Sequence, residues 1–202
     1  MKVAPVFQTY TGKLVNIEHP TPEMIDIDDI AHALSMTCRF GGHCRGFYSV
    51  AEHSVHAVEV VRSMIAVGPH CTMDRLTKCE VCLGALLHDA AEAYVGDVIF
   101  PQKGLVQFFS DLEARWLLVI RQIWPMANFD SSWVQQADHE MLYHEVQALC
   151  RPCEVWNSQM PTISERRAAN ARAIEIECWS PSQARLKFLN CYRSLIKTLT
   201  GE

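Results

Sequence analysis

The chain has 202 residues, 49% of them hydrophobic and 20% charged, with nine glycines and nine prolines; that excludes a disordered, collagenous or low-complexity chain and is enough for one sizeable core. The net charge of −5 argues against a dedicated non-specific nucleic-acid binder. No apolar run approaches the roughly 18 residues of a membrane span, and the start, Met1-Lys2-Val3-Ala4-Pro5, lacks the apolar stretch of a secretory signal.

In chain order, the only strand signal lies at 9–14 and reads as a short hairpin. A helix is expected over 25–36. Ser49-Val50-Ala51-Glu52 has the capping-box pattern ahead of Val55, Val58 and Val61, and Thr77-Lys78-Cys79-Glu80 has it ahead of Val81, Ala85, Leu86 and Ala90. Two long helices are expected over 103–123 and 131–149, with an ordered loop over 151–161. Ser180-Pro181-Ser182-Gln183 opens a last helix whose apolar face is Leu186, Leu189, Tyr192, Leu195 and Leu199. The sequence thus predicts one all-α domain over 1–202, with a core at 25–150 and a C-terminal helical extension at 161–202. The acidic charge lies in residues 1–150 (net −8); residues 151–202 carry net +3, spaced as on a solvated helix face.

Nine cysteines, an odd number without an export signal, suggest reduced thiols in a cytoplasm rather than a disulfide framework. Cys79/Cys82, with His70-Cys71 upstream, and Cys150/Cys153 have the residue types of a structural zinc site. Cys82 lies in an apolar approach to a helix, where a thiol packs as a small hydrophobe, and packing is the favoured reading.

Leu86-Leu87-His88-Asp89-Ala90-Ala91-Glu92 is the strongest chemical signal. A His-Asp pair at the end of an apolar stretch is costly unless satisfied. Imidazole and carboxylate together suit Zn, Mn, Fe or Co; a hydrogen-bonded pair at a helix end is the alternative, and the motif alone leaves both open. In a continuous helix His88 and Glu92 share a face. His53, on the preceding helix with His56, and Asp138, beside Val134, Ala137 and Leu142, are the candidate remaining ligands, since a helical bundle brings such positions together. His139 and His144 stand five apart, not four, which rules out the zinc-protease motif.

His53, then His88-Asp89, then Asp138 in this order resembles the HD-domain metal phosphohydrolases. The segments Arg39-Phe40-Gly41-Gly42-His43, Phe47-Tyr48-Ser49-Val50-Ala51-Glu52-His53-Ser54 and 88–97 resemble the branch of bacterial 5′-deoxynucleotidases and phage dATP triphosphohydrolases. The resemblance spans roughly residues 7–150. It implies an HD-type helical bundle in which His53, His88, Asp89 and Asp138 hold one divalent ion (Zn, Co or Mn, with Mg as an alternative). It further implies that Glu92 handles the catalytic water or leaving group, that Asp97 positions the water or sugar, and that Arg39 holds phosphate. Phe40 stands where that branch often has a tryptophan. Lys103 could face the phosphates, or be a solvated lysine. Phe40, Gly42 and Pro101 could form a flat slot for adenine, although Gly41-Gly42 also reads as a simple turn.

The function expected is a metal-dependent phosphohydrolase of 2′-deoxynucleotides. Within it the reading is a dATP triphosphohydrolase that releases deoxyadenosine and triphosphate. A 5′-deoxynucleotidase acting on monophosphates and a non-catalytic nucleotide sensor are the alternatives. A homo-oligomer in the cytoplasm of a bacterium or phage-infected host is expected, without membrane or stable nucleic-acid partner.

Overall fold

The protein is described here by a computed structural model covering residues 5–67, 73–124, 132–154 and 174–201; at Phe100 and Pro101 only the backbone is described. Strands β1 (Val6–Gln8) and β2 (Leu14–Asn16) pair antiparallel with Phe7 opposite Val15. The hairpin expected at 9–14 is present, but those residues form its turn, closed by Thr9 and Lys13 backbone bonding. Thr11 donates its N–H and hydroxyl to the buried Asp29 carboxylate at 2.6 and 2.8 Å, fixing the hairpin to α1 (Ile27–Met36). Helix α1 starts two residues later than expected, because Asp26, in extended backbone, caps it by accepting the Asp28 N–H.

Half of the first capping box forms. Ser49 Oγ accepts the Glu52 N–H at the start of α2 (Val50–Val67). The Glu52 carboxylate does not return to the cap. Fully buried, it accepts the backbone N–H groups of Glu177, Cys178 and Trp179 at 3.2, 3.0 and 2.6 Å, which satisfies the buried carboxylate and pins this stretch to α2. The next helix, α3 (Arg75–Leu87), begins before Thr77, because the Asp74 carboxylate already accepts the Leu76 and Thr77 N–H groups.

Two short helices follow, α4 (Glu92–Val95) and α5 (Phe100–Lys103). The single helix expected over 103–123 is interrupted at Gly104-Leu105-Val106, with Val106 extended, and resumes as α6 (Gln107–Ile123). Leu112, Trp116 and Ile120 face inward; the Trp116 ring stacks on Tyr94 at 4.1 Å and its Nε1 donates to the Ile17 carbonyl. Helix α7 (Ser132–Leu149) and, after the full capping box at Ser180, α8 (Pro181–Thr200) complete the set. Residues 151–153 are irregular and 154 is helical; residues 155–161 of the expected loop lie outside the described residues.

Helix α2 is the central element. It packs against α3 and α7, and α8 lies across α1, α2 and α3. One continuous apolar cluster runs from Val15 through Leu34, Val58, Val61 and Leu86 to Trp116, Met141 and Phe188. The all-α reading with a short N-terminal hairpin therefore agrees with the architecture. No helix among the described residues is long and apolar enough to cross a membrane.

Candidate metal centre

Three helices of this bundle aim donors at one point. His53 projects from α2 and is fully buried; Asp138 projects from α7; His88 and Asp89 stand just past the end of α3. The continuous helix expected through His88 to Glu92 does not form. His88 Nδ1 bonds the Ala85 carbonyl at 2.8 Å, and the following bonds, Ala90 N to Leu87 O and Glu92 N to Asp89 O, span three residues instead of four. In this tighter winding residues three apart eclipse, so Glu92 stands over Asp89 rather than over His88.

His53 Nε2 lies 3.2 Å from His88 Nε2, 3.7 Å from Asp89 Oδ2 and 3.2 Å from Asp138 Oδ1. His88 Nε2 lies 3.3 Å from Asp89 Oδ2 and 3.7 Å from Asp138 Oδ1. Donors at zinc distances on a tetrahedron stand about 3.3 Å apart. The tautomers agree with that spacing. His53 Nδ1 faces the Glu145 carboxylate at 2.5 Å and His88 Nδ1 faces a carbonyl, so each Nδ1 is the donor and, in the neutral ring, each Nε2 turns its lone pair inward. Two lone pairs and two carboxylate oxygens converge, and a cation satisfies all four. Among the described residues His53, His88 and Asp89 are the one compact His/Cys/Asp/Glu group able to hold a metal, and Asp138 Oδ1 adds a fourth donor.

The charges follow from this packing. Burial opposes ionisation of Asp89, but His88, His53 and Arg39 outweigh it and hold its carboxyl well below the usual range; the two histidines do the same for Asp138. Burial acts to lower His88, yet Asp89 and Asp138 push it well above an ordinary histidine. For His53, Glu145 and Asp138 overcome both burial and the Arg39 charge and raise it.

Glu145 is the residue that sequence reasoning missed. It stands seven residues after Asp138, on the same face of α7, and is fully buried. A lone acid at i+7 from a ligand, set within the apolar run around Met141, Val146 and Leu149, is the signal that could have found it. Burial alone would raise its carboxyl, but His53 and Arg39 hold it down to about 2.

Arg39 reaches the same cluster. Its Nη1 donates to Asp89 Oδ2 at 3.3 Å and its Nη2 to Glu145 Oε2 at 3.2 Å, while its buried Nε has no partner among the described residues. It opens a tight turn in which Phe40, Gly41 and Gly42 all have positive φ, +59°, +57° and +81°. Gly42 suits this left-handed backbone, and Phe40 is held in it at a cost. The turn is clamped by Arg39 N to Tyr48 O and Val50 N to Thr37 O.

Glu92 is buried on the other side of the cluster. Its Oε1 pairs with Lys103 Nζ at 3.2 Å and its Oε2 has no partner. Burial, then repulsion from Asp89 and Asp97, raises its carboxyl well above the usual value, so it favours the protonated form. Burial likewise raises Asp97, which follows Gly96 (φ +84°) at the end of α4. Lys103 also bonds Glu113 at 3.1 Å, so it is tied to two carboxylates. The Pro101 side chain lies outside the described residues.

Among the described residues the cysteine pairs form no such centre. Cys79 and Cys82 are buried, and Cys79 Sγ donates to the Leu195 carbonyl, in keeping with packing; His70 and Cys71 lie outside the described residues. The eight described cysteines are free thiols.

No protein-family model matches the chain. The Escherichia coli protein YfdR is 34% identical over 138 residues, which is 68% of this chain and 68% of YfdR. The Rhodobacter capsulatus protein RCAP_rcc00048 is 37% identical over 99 residues, 48% of this chain and 45% of that protein. A solved structure titled as the cyanophage S-2L HD phosphohydrolase DatZ bound to dA and one catalytic Zn2+ ion superposes with a TM-score of 0.52 at 18% identity, covering 83% of this chain and 95% of DatZ. This chain belongs to the family of YfdR, and its fold is that of the HD phosphohydrolases.

Proposed function

We propose that this protein is a metal-dependent phosphohydrolase acting on 2′-deoxynucleotides. The observation that carries the reading is the convergence of His53, His88, Asp89 and Asp138 with both Nε2 lone pairs inward. These four side chains would hold one divalent ion, and their mixed imidazole and carboxylate donors suit Zn, Co or Mn, with Mg as the alternative. Such an ion, when bound, acidifies a water and neutralises phosphate charge.

The chain's own residues divide the remaining work. Arg39, with a buried unpartnered Nε beside the cluster, would orient a phosphate. Glu92, whose carboxyl is raised by burial, would deliver a proton from Oε2 to the departing 5′-oxygen. Lys103 would keep Glu92 in place and add positive charge. Asp97 would position the water or the sugar.

Within this class the finer reading is a dATP triphosphohydrolase releasing deoxyadenosine and triphosphate. It is supported by the resemblance at 39–43 and 47–54 and by the dA in the DatZ structure. Phe40 and Gly42, beside Arg39, and Pro101 would form the adenine slot. A 5′-deoxynucleotidase would use the same donors, whereas a pure sensor would have no need of a buried acid at Glu92. The whole chain is read as one HD unit, because α8 completes the core.

The test is a screen of deoxynucleoside mono-, di- and triphosphates with Co, Mn, Zn and Mg, reading whether phosphate or triphosphate is released. Triphosphate from dATP supports the finer reading, and phosphate from monophosphates supports the nucleotidase. Equal rates on dATP, dGTP and dCTP end the adenine slot, and no hydrolysis of any of them ends the phosphohydrolase reading.

A further inference from the structure

We propose that Glu145 is a positioning residue that ties the metal ligand His53 to the phosphate-facing Arg39, so that the two are aligned as one unit. The proposal rests on the phosphohydrolase reading above. Glu145 is fully buried and spends one oxygen on each neighbour: Oε1 accepts from His53 Nδ1 at 2.5 Å and Oε2 from Arg39 Nη2 at 3.2 Å. Among the described residues no other group bonds His53 Nδ1, so Glu145 alone fixes the tautomer that turns the Nε2 lone pair inward. The other end of the Arg39 guanidinium bonds Asp89 Oδ2 at 3.3 Å, and that same oxygen stands 3.7 Å from His53 Nε2. Glu145, His53, Asp89 and Arg39 therefore close a ring of contacts. A guanidinium held at both terminal nitrogens keeps its plane, and an imidazole held at Nδ1 keeps its tilt. Releasing either at Glu145 loosens the other through Asp89.

The chemistry of an amide makes this testable. A carboxylate offers two acceptors to two donors, whereas a glutamine offers one acceptor and one donor. In Glu145→Gln one of the two links must break. If the amide nitrogen faces Arg39, two donors confront each other and the guanidinium is displaced. If it faces His53, Nδ1 must accept, the ring proton moves to Nε2, and a ligand lone pair is lost.

The experiment measures the Zn2+ affinity of the metal-free Glu145→Gln protein by chelator competition. It also measures kcat and KM on the deoxynucleotide that the wild type cleaves fastest. A loss of zinc affinity of about 10-fold or more, or a comparable rise in KM with zinc affinity intact, is expected, the size usual for partners behind a ligand. Both quantities within about threefold of wild type overturn the proposal, whatever the melting temperature does, because a merely structural role moves only the latter. If Glu145→Gln does not fold by circular dichroism, Glu145→Asp is put to the same two measurements with the same thresholds; it keeps the charge but is one methylene too short to span both donors. A wild type that binds none of Zn, Co, Mn and Mg overturns the phosphohydrolase reading as well, whereas a metal-binding wild type with an unaffected variant overturns only the role of Glu145.

Discussion

His88 uses its two ring nitrogens for different tasks: Nδ1 takes the Ala85 carbonyl as α3 ends, and Nε2 is left facing His53, Asp89 and Asp138. Asp89 is equally divided, with Oδ2 shared between the two histidines and Arg39. Asp89→Ala should therefore lose bound metal and turnover together while the helical circular-dichroism spectrum survives; wild-type metal content by elemental analysis would remove Asp89 from the ligand set. Glu92 is different, since its pairing is with Lys103 and its Oε2 has no hydrogen-bond partner among the described residues. Glu92→Gln should keep metal content and lower kcat by about 10²- to 10⁴-fold, the range for a general acid. A rate near wild type rules out that role.

At the scale of elements, the edge of the candidate metal centre depends on how α4 is held. Helix α4 has one turn, too short to be stable alone, and it is anchored by the Tyr94 ring stacked on Trp116 of α6 and by the Tyr94 hydroxyl, which accepts the Asp26 N–H. Trp116 is fully buried. Trp116→Ala should cost about 3–5 kcal/mol in urea unfolding, and should also weaken turnover in whatever fraction remains folded, because Glu92 begins α4. Helix α8 is held at its start by the Ser180–Gln183 capping box. Ser180→Ala should cost about 1 kcal/mol by the same measurement, with metal affinity unchanged, because α8 contributes no ligand.

For the whole molecule, metal binding and pH are linked. In the metal-free protein the carboxylates raise His88 well above an ordinary histidine, despite its burial. A raised folded-state pKa means that protonation stabilises the metal-free fold. That contribution is complete below the unfolded value of about 6.5 and is lost as pH rises through the folded value. Metal needs the neutral rings, so its binding displaces these protons and tightens as pH rises. The increase in melting temperature produced by zinc should accordingly be larger at about pH 8 than at about pH 6. An increase that is equal or smaller at the higher pH contradicts this assignment of the protons.

Local chemistry, written in the sequence, determined much of this protein. The helical stretch of α6, the Ser180 cap and the His-Asp pair are legible because each depends on residues within one or two turns, whereas the face of α8 is only partly so, since Leu186 is exposed and Phe188 is the buried residue. The order of His53, His88-Asp89 and Asp138 was legible as a pattern because a bundle needs ligands on separate helices. Helix breaks were less legible. The end of α3 at Leu87 depends on whether the His88 side chain takes a backbone carbonyl, and the gap between α5 and α6 depends on an extended Val106. The destinations of buried charges were decided by tertiary structure alone. Glu52 looks like a capping residue and instead binds backbone 125 to 127 positions away, while Glu145 joins His53 across 92 positions and Arg39 across 106. A buried carboxylate must find donors, and the nearest ones in space lie on other helices, where no local spacing can announce them.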